Sequence, residues 1–447
     1  MWLIVKNIFD KQEVLISCSS LNTLKLKDMS INNNPVPIKI EDKGFQKLID
    51  SIKNDIKTSS QNLSNAIFQK HFQGGNTDID KIITEILLAK RYRGGKRELR
   101  NPALLYKKIK IKTDKNKPIE LSISLYPCKI PNVLKTTGQS PDLADLISIA
   151  RFMEIAMAIE NVYVPGAKII ILTDGNRFKD ILNFPSEYID GYQEKIKIFI
   201  EALNGKRYIV FEDYISLIKN ELGNQYTSKK NRLFLKVKKE YVNIFLPKIE
   251  AEKIEEHMLH IILSNKQNLE LCQKFLDLYK SLIFSTYVKE LDLKDKKSKE
   301  EVSMKVYEDI FNFSNSNKHI LEIRKKIVEK TWEQTIDYIS EITTGRLLKP
   351  VEKLYPESIR CDMHNISDRL TLYSVNRSTK LTSFHGTGYI DQKGHMSVAL
   401  RILLDNKYRP VFGTFLGLSY KNQPFFYIHS DLINNIKYLP FGMFHIK

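Results

Sequence analysis

Apolar and polar positions alternate in several short stretches of this chain, and each such stretch predicts a strand. The clearest is Ile119–Leu125, where Ile and Leu alternate with Glu and Ser in the two-residue period of a half-buried strand. Apolar runs predict further strands at Lys168–Thr173 and Tyr208–Phe211, and such runs are typical of a parallel sheet that is buried on both faces. Strand signals return near the end, at Ser358–Met363, Leu370–Val375, Ser397–Leu404, Pro410–Phe415 and Pro424–Ile428.

Segments with helical periodicity lie between the earlier predicted strands. Helices that alternate with strands favour an α/β fold, and we predict a Rossmann-like, mostly parallel sheet flanked by helices. Residues from about 250 to 348 are helical in pattern and heavily charged, which predicts a helical insertion, and the part that follows is predicted to be β-rich. Helices are predicted at Phe45–Ile56, Thr77–Ala89, Pro141–Glu160 and Glu187–Leu203.

Charge and cysteine content narrow the class of protein. The net charge is +18, but the lysines are spread along the chain, so a lysine-rich composition or an anionic small substrate explains the charge better than nucleic acid does. The four cysteines are far apart and form no CxxC pair, which argues against a zinc framework or a disulfide scaffold. No run approaches the roughly 20 apolar residues of a membrane span. We therefore expect a cytoplasmic protein with no membrane partner.

The segment Tyr126–Asp145 combines lysines, amides and three prolines between a predicted strand and a predicted helix. Prolines stiffen such a segment, so it can present Lys129, Asn132 and Lys135 to an anionic or polar ligand. Ser140 is a good N-cap for the helix that follows, and a helix N-terminus favours anions. The alternative interpretation is a basic surface loop followed by an ordinary helix cap.

Asp174 directly follows the second predicted strand and precedes Gly175. A carboxylate at the carboxyl end of a strand is well placed to hold an amine or a hydroxyl, although it could also cap the next turn. Arg177, just downstream, could grip a phosphate with two donors or face water. Because Lys129 and Asp174 both lie just past strand ends, they could share one crevice.

The stretch Ile359–His364 places three ionisable side chains, those of Arg360, Asp362 and His364, on one face of a predicted strand. Such a face predicts a site, and its alternative is an edge strand with a solvated face. His364 and His385 are candidates for proton transfer because imidazole titrates near neutral pH, and the alternative for each is a structural role. The chain has no phosphate-binding P-loop and no GxGxxG motif, which argues against nucleotide hydrolysis and hydride transfer.

Taken together, these segments resemble the pyoverdine/dityrosine biosynthesis family, the isonitrile (isocyanide) synthases. The resemblance is clear over Tyr126–Ala202 and returns in patches towards the C-terminus. Two departures stand out: Asp362 replaces a common serine, and Ser383 and Phe384 replace the Pro and Trp of a P-W-H-G motif. The residues that match the family pattern are Cys128, Lys129, Pro131, Asn132, Lys135, Gly138, Pro141, Asp142, Thr173, Asp174, Gly175, His385 and Gly386.

The resemblance implies an enzyme of secondary metabolism. It would condense the amino group of an aromatic L-amino acid, tyrosine or tryptophan, with the C2 ketone of ribulose 5-phosphate. The nitrogen gains one carbon as an isonitrile, while phosphate and the rest of the sugar leave. No metal and no organic cofactor are implied. Residues 71–447 would form the catalytic domain, including the charged helical insertion, and residues 1–70 an N-terminal extension.

The resemblance also implies roles for individual residues. Asn132 and Asp174 would orient the sugar or the amine, and Phe384 would contribute an apolar wall. His364 and His385 would move protons during imine formation and elimination. The phosphate would be held by Lys129 and Lys135 together with Arg177 or Arg360.

Three alternatives stay open at this point. A relative of the spore-wall dityrosine enzymes would make an N-formyl product instead of an isonitrile. The departures at Asp362 and Ser383 would also fit a non-catalytic relative. A basic α/β protein that binds nucleic acid would use the dispersed lysines and the 21 tyrosines. The sequence carries no signal for an oligomeric state.

Overall fold

The computed structural model describes the chain in segments. They are residues 35–37, 43–75, 78–89, 92, 102–125, 141, 143–182, 186–245, 250, 253–272, 274–276, 278–279, 282, 318–362, 369–372, 387–390, 396–404, 407–413, 426–427 and 444–446.

Helices make up most of the described chain. They are α1 Lys43–Gln73, α2 Ile79–Leu88, α3 Pro102–Asp114, α4 Leu143–Glu160, α5 Gly175–Leu182, α6 Ser186–Ala202, α7 Tyr214–Phe245, α8 Ile254–Ser264, α9 Lys318–Leu348 and α10 Pro350–Leu354. Helix α2 begins after its N-cap Asp78, whose carboxylate accepts hydrogen bonds from the backbone N–H groups of Asp80 and Lys81. Helix α7 is broken at Gly223, whose φ of 70° favours glycine.

The strands belong to two sheets. They are β1 Pro35–Pro37, β2 Ile119–Leu125, β3 Ala167–Thr173, β4 Ile209–Asp213, β5 Ile359–Asp362, β6 Leu370–Thr371, β7 Thr387–Ile390, β8 Met396–Leu404, β9 Lys407–Gly413, β10 Phe426–Tyr427 and β11 Phe444–Ile446.

A five-stranded sheet organises the described core. Its order is β4-β3-β2-β5-β6, and all four neighbouring pairs are parallel. The chain runs outward from β2 through β3 to β4 and then crosses to the other side of β2 for β5 and β6. The second sheet has the order β1-β11-β7-β8-β9-β10 and is described by its backbone. Its pair β11–β7 is parallel, and its other four pairs are antiparallel.

The two faces of the parallel sheet pack into different cores. Leu121 and Ile123 of β2 belong to the main core, together with apolar residues of α1, α4 and α6. Ile170 and Leu172 of β3 point to the opposite face, where they pack with Tyr214 of α7 and with apolar residues of α9 and α10. The second face is the one that carries the polar residues described below.

Ser122 of β2 lies on this second face. The alternation of β2 predicted a half-buried strand, but β2 is the central strand of the sheet. Ser122 is fully buried, and its Oγ lies 2.7 Å from Oγ of Ser358. A polar side chain inside a core needs such a partner. At Ser122 the alternation therefore marks an internal polar position and not a solvent-exposed one.

Helix α1 is much longer than the predicted helix at Phe45–Ile56 and runs across the predicted domain boundary at residue 70. Its buried residues Phe45, Ile49, Ile52 and Ile56 belong to the main core. The domain boundary itself stays a prediction.

The α/β class and a parallel sheet flanked by helices are confirmed. The Rossmann-like description and the β-rich C-terminal part remain predictions. Within the charged insertion, α8 and α9 are helical as predicted, and Trp332 and Ile339 of α9 are fully buried. No helix among the described residues has both the length and the hydrophobicity that a bilayer crossing requires.

Candidate active site

The carboxyl ends of the parallel strands meet along one edge of the central sheet. Leu125 at the end of β2 is paired with Thr173 at the end of β3, and Thr173 is paired in turn with Asp213 at the end of β4. Strand β5 ends at Asp362 on the other side of β2. The direction of the chain reverses at β2, and ligands of open α/β sheets bind at such a reversal. This edge is therefore the candidate active site.

Asp174 lies at this edge, directly after β3. Its side chain is 15% exposed, and its Oδ1 is buried and has no hydrogen-bond partner in the described part of the chain. The expected alternative was a turn cap, but Asp174 differs from two described aspartates that do cap helices. Asp78 accepts backbone N–H groups of α2, and Asp213 accepts the N–H of Ser216 in α7. The carboxylate of Asp174 is not used in this way, which leaves it available to a ligand.

Burial raises the pKa of Asp174 above the ordinary value for an aspartate. The positive charges of Arg177 and Arg360 oppose this shift, and the negative charges of Glu341 and Asp362 add to it. These groups come from separate segments of the chain and converge around one carboxylate. A carboxylate with a raised pKa can exchange a proton closer to neutral pH.

The neighbours of Asp174 in the Thr-Asp-Gly motif have structural roles. Thr173 Oγ1 accepts a hydrogen bond from Gln193 at 2.8 Å and lies 3.3 Å from Oδ2 of Asp213. A Cβ on Gly175 would come within 2.7 Å of Cγ2 of Ile189, so glycine allows α5 and α6 to pack closely. Of the three residues in the motif, Asp174 is the one whose side chain is available to contact a ligand.

Arg177 is held inside the protein by Glu341 of α9. Its Nε donates to Oε1 of Glu341 at 2.8 Å, and its Nη2 donates to the backbone carbonyl of Glu341 at 2.7 Å. Its Nη1 lies 3.9 Å from Oδ1 of Asp174. Lys230 Nζ contacts the same Glu341 oxygen at 2.9 Å. Two of the three guanidinium nitrogens of Arg177 thus bind the protein, and the third faces Asp174.

Gly345 makes room for this arginine. A Cβ built on Gly345 would overlap the guanidinium of Arg177, at its Nη2. Tyr214 also packs against this arginine, with the Arg177 Cζ 5.1 Å from the centre of its ring. Helix α9 therefore carries both the acceptor and the gap that fix Arg177.

Arg360 of β5 is paired with Ser122 of β2. It therefore lies on the same face of the sheet as Leu172 of β3 and as Asp174, two residues after Leu172. It is 8% exposed, which rules out the alternative of a solvated edge face. Its Nε lies 3.4 Å from Oε1 of Glu352, but neither Nε nor Nη1 makes a hydrogen bond within the described residues.

Asp362, two residues after Arg360, is paired with another arginine. Its Oδ2 accepts a hydrogen bond from Nη1 of Arg369 at 2.9 Å. The unsatisfied donors of Arg360 are therefore compatible with the predicted role in holding an anion, which stays a prediction.

The structure brings together three residues of the sequence prediction, Asp174, Arg177 and Arg360. The other predicted residues lie outside the described part of the chain, and their roles stay predictions. Strand β2, which precedes the predicted loop lysines in the sequence, ends at Leu125 at the candidate edge. The predicted residues outside the described part are Lys129, Asn132, Lys135, His364, Phe384 and His385.

Sequence reasoning missed Glu341 and Gly345. Glu341 is one of many charged residues in a helical stretch, and nothing in its immediate sequence separates it from solvent-facing glutamates. A glycine inside a long helix is unfavourable by about 1 kcal/mol relative to alanine. Gly345, near the C-terminal end of α9, was therefore the one sequence signal for a close contact.

A groove of about 970 Å³ runs along α7 between Leu222 and Lys236. All its lining residues belong to that single helix, and it is open to solvent. Enzyme sites in open sheets are built from several elements at the carboxyl ends of strands. We therefore assign the site to the sheet edge and not to this groove.

Comparisons with known proteins agree with the resemblance seen in the sequence. An L-tyrosine isonitrile synthase of Xenorhabdus nematophila is 33% identical over 104 residues, which cover 23% of this chain and 31% of that protein. The L-tryptophan isonitrile synthase AmbI2 of Fischerella ambigua is 25% identical over 201 residues, or 45% of this chain and 54% of that protein. The matches thus span about a third to a half of these relatives' own length.

A yeast protein and a solved structure are also similar. The spore wall maturation protein DIT1 of Saccharomyces cerevisiae is 30% identical over 84 residues, which cover 19% of this chain and 16% of that protein. A crystal structure of the PvcA protein from Pseudomonas aeruginosa aligns with a TM-score of 0.46 and 16% identity, over 73% of this chain and 98% of that one.

The family model of the pyoverdine/dityrosine biosynthesis proteins matches residues 109–408. The match covers about two thirds of the chain and includes β2, β3, β4 and β5 with all three described site residues. The chain belongs to the pyoverdine/dityrosine biosynthesis protein family.

Proposed function

We propose that this protein is an isonitrile synthase that condenses the amino group of an aromatic L-amino acid, tyrosine or tryptophan, with ribulose 5-phosphate. One observation carries the proposal. In a chain of this family, Asp174 and Arg360 come from distant parts of the sequence and converge on one face of one sheet edge, each with a buried polar atom that lacks a hydrogen-bond partner among the described residues. The names of the isonitrile synthases that match the chain support the same activity.

Asp174 is the best placed of the described residues to act on the amine. In its ionised form it holds an ammonium group, and it can take up a proton when that amine becomes a nucleophile. The amine nitrogen then attacks the C2 carbonyl carbon, and one water leaves as the imine forms. Arg177, fixed by Glu341, acts through Asp174 as a positioning residue. This role fits its contacts better than direct phosphate binding does.

The remaining steps need groups outside the described residues. His364 and His385 are proposed to move protons during imine formation and the later elimination, and Phe384 to face the aromatic side chain. Lys129 and Lys135 are proposed to contribute to holding the sugar phosphate, and Asn132 to orient the sugar or the amine. The segment that carries these three residues begins at the end of β2, the strand next to the one that leads to Asp174.

The proposal is tested by incubating the purified chain with ribulose 5-phosphate and either tyrosine or tryptophan, followed by mass analysis and measurement of free phosphate. The expected result is an amino acid that has gained one carbon on its nitrogen, with phosphate released in equal amount. The proposal fails if neither amino acid gains a carbon and no phosphate is released.

The same experiment addresses a second candidate, an N-formyl-amino-acid synthase. The similarity to the spore wall maturation protein DIT1 is the observation that favours it. An N-formyl product is heavier than the isonitrile by one water. Its appearance as the first product, at times too short for hydrolysis of an isonitrile standard, would replace the first proposal with the second.

A further inference from the structure

Positively charged side chains from three separate segments meet beside the candidate active site. Arg369 precedes β6 and donates to Asp362 at the end of β5. Arg346 lies in the last turn of α9, and Lys274 lies in the helical residues 274–276. Both are within electrostatic range of Asp362 and Arg369. We call Lys274, Arg346 and Arg369 the cationic cluster.

The cluster holds more positive than negative charge. Among the described residues, Arg369 is the member of the cluster that forms an ion pair, with Asp362. Burial and then the nearby Arg346 lower the pKa of Lys274 to about 8, although Asp362 and Glu270 oppose that shift. Arg346 is exposed, and its pKa is lowered by desolvation and then by the positive charge of Arg369. Lys274 and Arg346 are thus repelled by neighbouring positive charges, and a bound anion would relieve this repulsion.

Arg360 supplies an independent observation. It is more than nine-tenths buried, yet neither Nε nor Nη1 makes a hydrogen bond in the described residues, although Nε forms an ion pair with Oε1 of Glu352 at 3.4 Å. Leaving a buried donor unsatisfied is unfavourable, and more so when it belongs to a charged group. Burial lowers the pKa of Arg360 most, and Arg369 of the cluster is the charge that adds most to this effect. The unsatisfied donors therefore lie within electrostatic range of Arg369, the member of the cluster at the strand ends.

We propose that the cationic cluster, together with the unsatisfied donors of Arg360, binds the phosphate group of a phosphorylated substrate. A guanidinium presents paired donors that match phosphate oxygens, and a lysine adds a point charge. That the substrate is a sugar phosphate rests on the proposed function, whereas the binding of phosphate itself does not. The subsite lies at the end of β5 and β6, across β2 from Asp174.

A purely structural role for these residues makes a different prediction. A cation in the last turn of a helix stabilises the helix dipole, and Arg369 pairs with Asp362 in any case. In that situation, replacing Arg346 or Lys274 would change the unfolding temperature and leave phosphate affinity unchanged. Phosphate affinity is therefore the measurement that separates the two roles.

The test compares the wild-type chain with K274Q and R346Q by calorimetric titration with inorganic phosphate and with ribulose 5-phosphate. R232Q is the matched control, since Arg232 is an exposed arginine of α7 that forms no ion pair within the described residues. Each cluster variant should weaken binding of both anions roughly 10- to 100-fold, the value of one charge-assisted hydrogen bond. R232Q should bind as the wild type does, and uncharged ribulose should bind all variants equally.

The pH dependence gives a second readout. Lys274 faces Glu270 on its own helical segment, Arg346 of α9, and Asp362 and Arg369 at the strand ends. Because its pKa is about 8, it loses its charge as the pH rises through 8. Phosphate affinity of the wild type should therefore fall between about pH 8 and pH 9, and that fall should be absent in K274Q.

The proposal is overturned if K274Q and R346Q, folded by circular dichroism, bind both anions as tightly as R232Q does. Should one variant fail to fold, the other decides the question. This failure is distinct from failure of the proposed function. Turnover with unchanged phosphate affinity in the variants would remove the subsite alone, while weakened phosphate binding without any isonitrile product would remove the synthase activity alone.

Discussion

At the scale of single residues, Asp174 is the group on which the proposed chemistry depends. Its surroundings keep it largely buried, with a raised pKa and an Oδ1 that no described residue satisfies. A group with these properties is typical of an active site, because folding alone gains nothing from a buried carboxylate oxygen without a partner.

Replacing Asp174 by Asn should lower turnover by a factor of roughly 100 to 10,000, the usual contribution of a positioned acid or base. D174N should not lower the unfolding temperature at neutral pH, because the amide removes a buried charge. Steady-state kinetics and thermal unfolding check both parts. D180N is the control, since Asp180 is an exposed carboxylate on α5. A strongly unfolded D174N protein would contradict this description of the site.

The raised pKa of Asp174 also makes the stability of the protein depend on pH. Because the pKa of Asp174 is raised on folding, its contribution to stability is complete at pH values below the ordinary aspartate pKa and is lost as the pH rises through the raised value. The free energies of unfolding of wild type and D174N should therefore be closest in acid and should diverge in favour of D174N towards neutral pH. Urea unfolding at several pH values measures this difference, and the opposite trend would exclude a raised pKa.

Gly345 gives a second prediction at this scale. G345A places a methyl group where the guanidinium of Arg177 lies, so overpacking should destabilise the protein by about 1–3 kcal/mol and lower turnover. Gly191 in α6 is the matched control, because a Cβ there has no heavy atom within 4 Å. G191A should stabilise the protein by up to about 1 kcal/mol. Equal effects of the two substitutions, measured by urea unfolding, would show that Gly345 does not accommodate Arg177.

These residues also mark what the sequence could and could not reveal. Asp174 was predictable because it follows an apolar run, and position at a strand end is a local property. The partnership of Arg177 with Glu341 was not predictable, because it joins two residues that are distant in the chain and that differ from other charged residues only through packing. The sequence prediction therefore took Arg177 for a phosphate ligand, whereas its contacts favour a positioning role.

At the scale of secondary-structure elements, α9 belongs to the predicted helical insertion and extends to the candidate active site. It supplies Glu341 beside the site, and its Trp332 donates from Nε1 to the carbonyl of Phe245 in α7 at 2.9 Å. A stretch that is charged in sequence therefore acts as a structural wall of the site. The insertion itself stays a prediction, because the sequence shows the charges of this stretch but not which of them are buried.

The packing of α9 against α5 and α7 should depend on Glu341. E341Q would leave the buried Arg177 without its carboxylate, and loss of one partner of a buried pair costs about 3–5 kcal/mol. D337N is the control one helical turn earlier, where Asp337 pairs with the more exposed Lys238 and the expected cost is below about 1 kcal/mol. Urea unfolding of both variants tests this, and similar losses in the two would argue against a special role for Glu341.

Helix α1 gives the remaining prediction at this scale. Ile49 is 1% exposed in the main core, so I49A should cost about 2–5 kcal/mol. D50A, at an exposed neighbouring position, should change stability by less than about 0.5 kcal/mol. If I49A proved neutral by urea unfolding, α1 would be a dispensable addition and not part of the core.

The elements themselves were largely predictable from periodicity. Strands β2, β3 and β4 and helices α2, α4 and α6 lie where the pattern placed them, within a few residues. The end of α1 and the burial of Ser122 in β2 were not predictable. The second half of α1 is polar enough to resemble a loop, and Ser122 is buried only because β5 and the preceding Ser358 lie beside it.

At the scale of the whole molecule, the positive charge now has a local interpretation. Part of the net charge of +18 is concentrated in the cationic cluster and at Arg360, beside an active site that is proposed to bind a sugar phosphate. A nucleic-acid-binding protein would instead need a basic surface whose affinity falls steeply with salt. Turnover that persists at moderate salt would favour the enzyme over that alternative.

The most direct test of the proposed activity follows the carbon atom. Wild type, D174N and D180N are incubated with the aromatic amino acid and ribulose 5-phosphate carrying ¹³C at C2, and the products are examined by carbon NMR. We expect the label to appear as the isonitrile carbon in wild type and D180N and to be nearly absent in D174N. Label that never reaches the nitrogen in wild type would contradict the condensation, and label that reaches it equally well in D174N would contradict the role of Asp174.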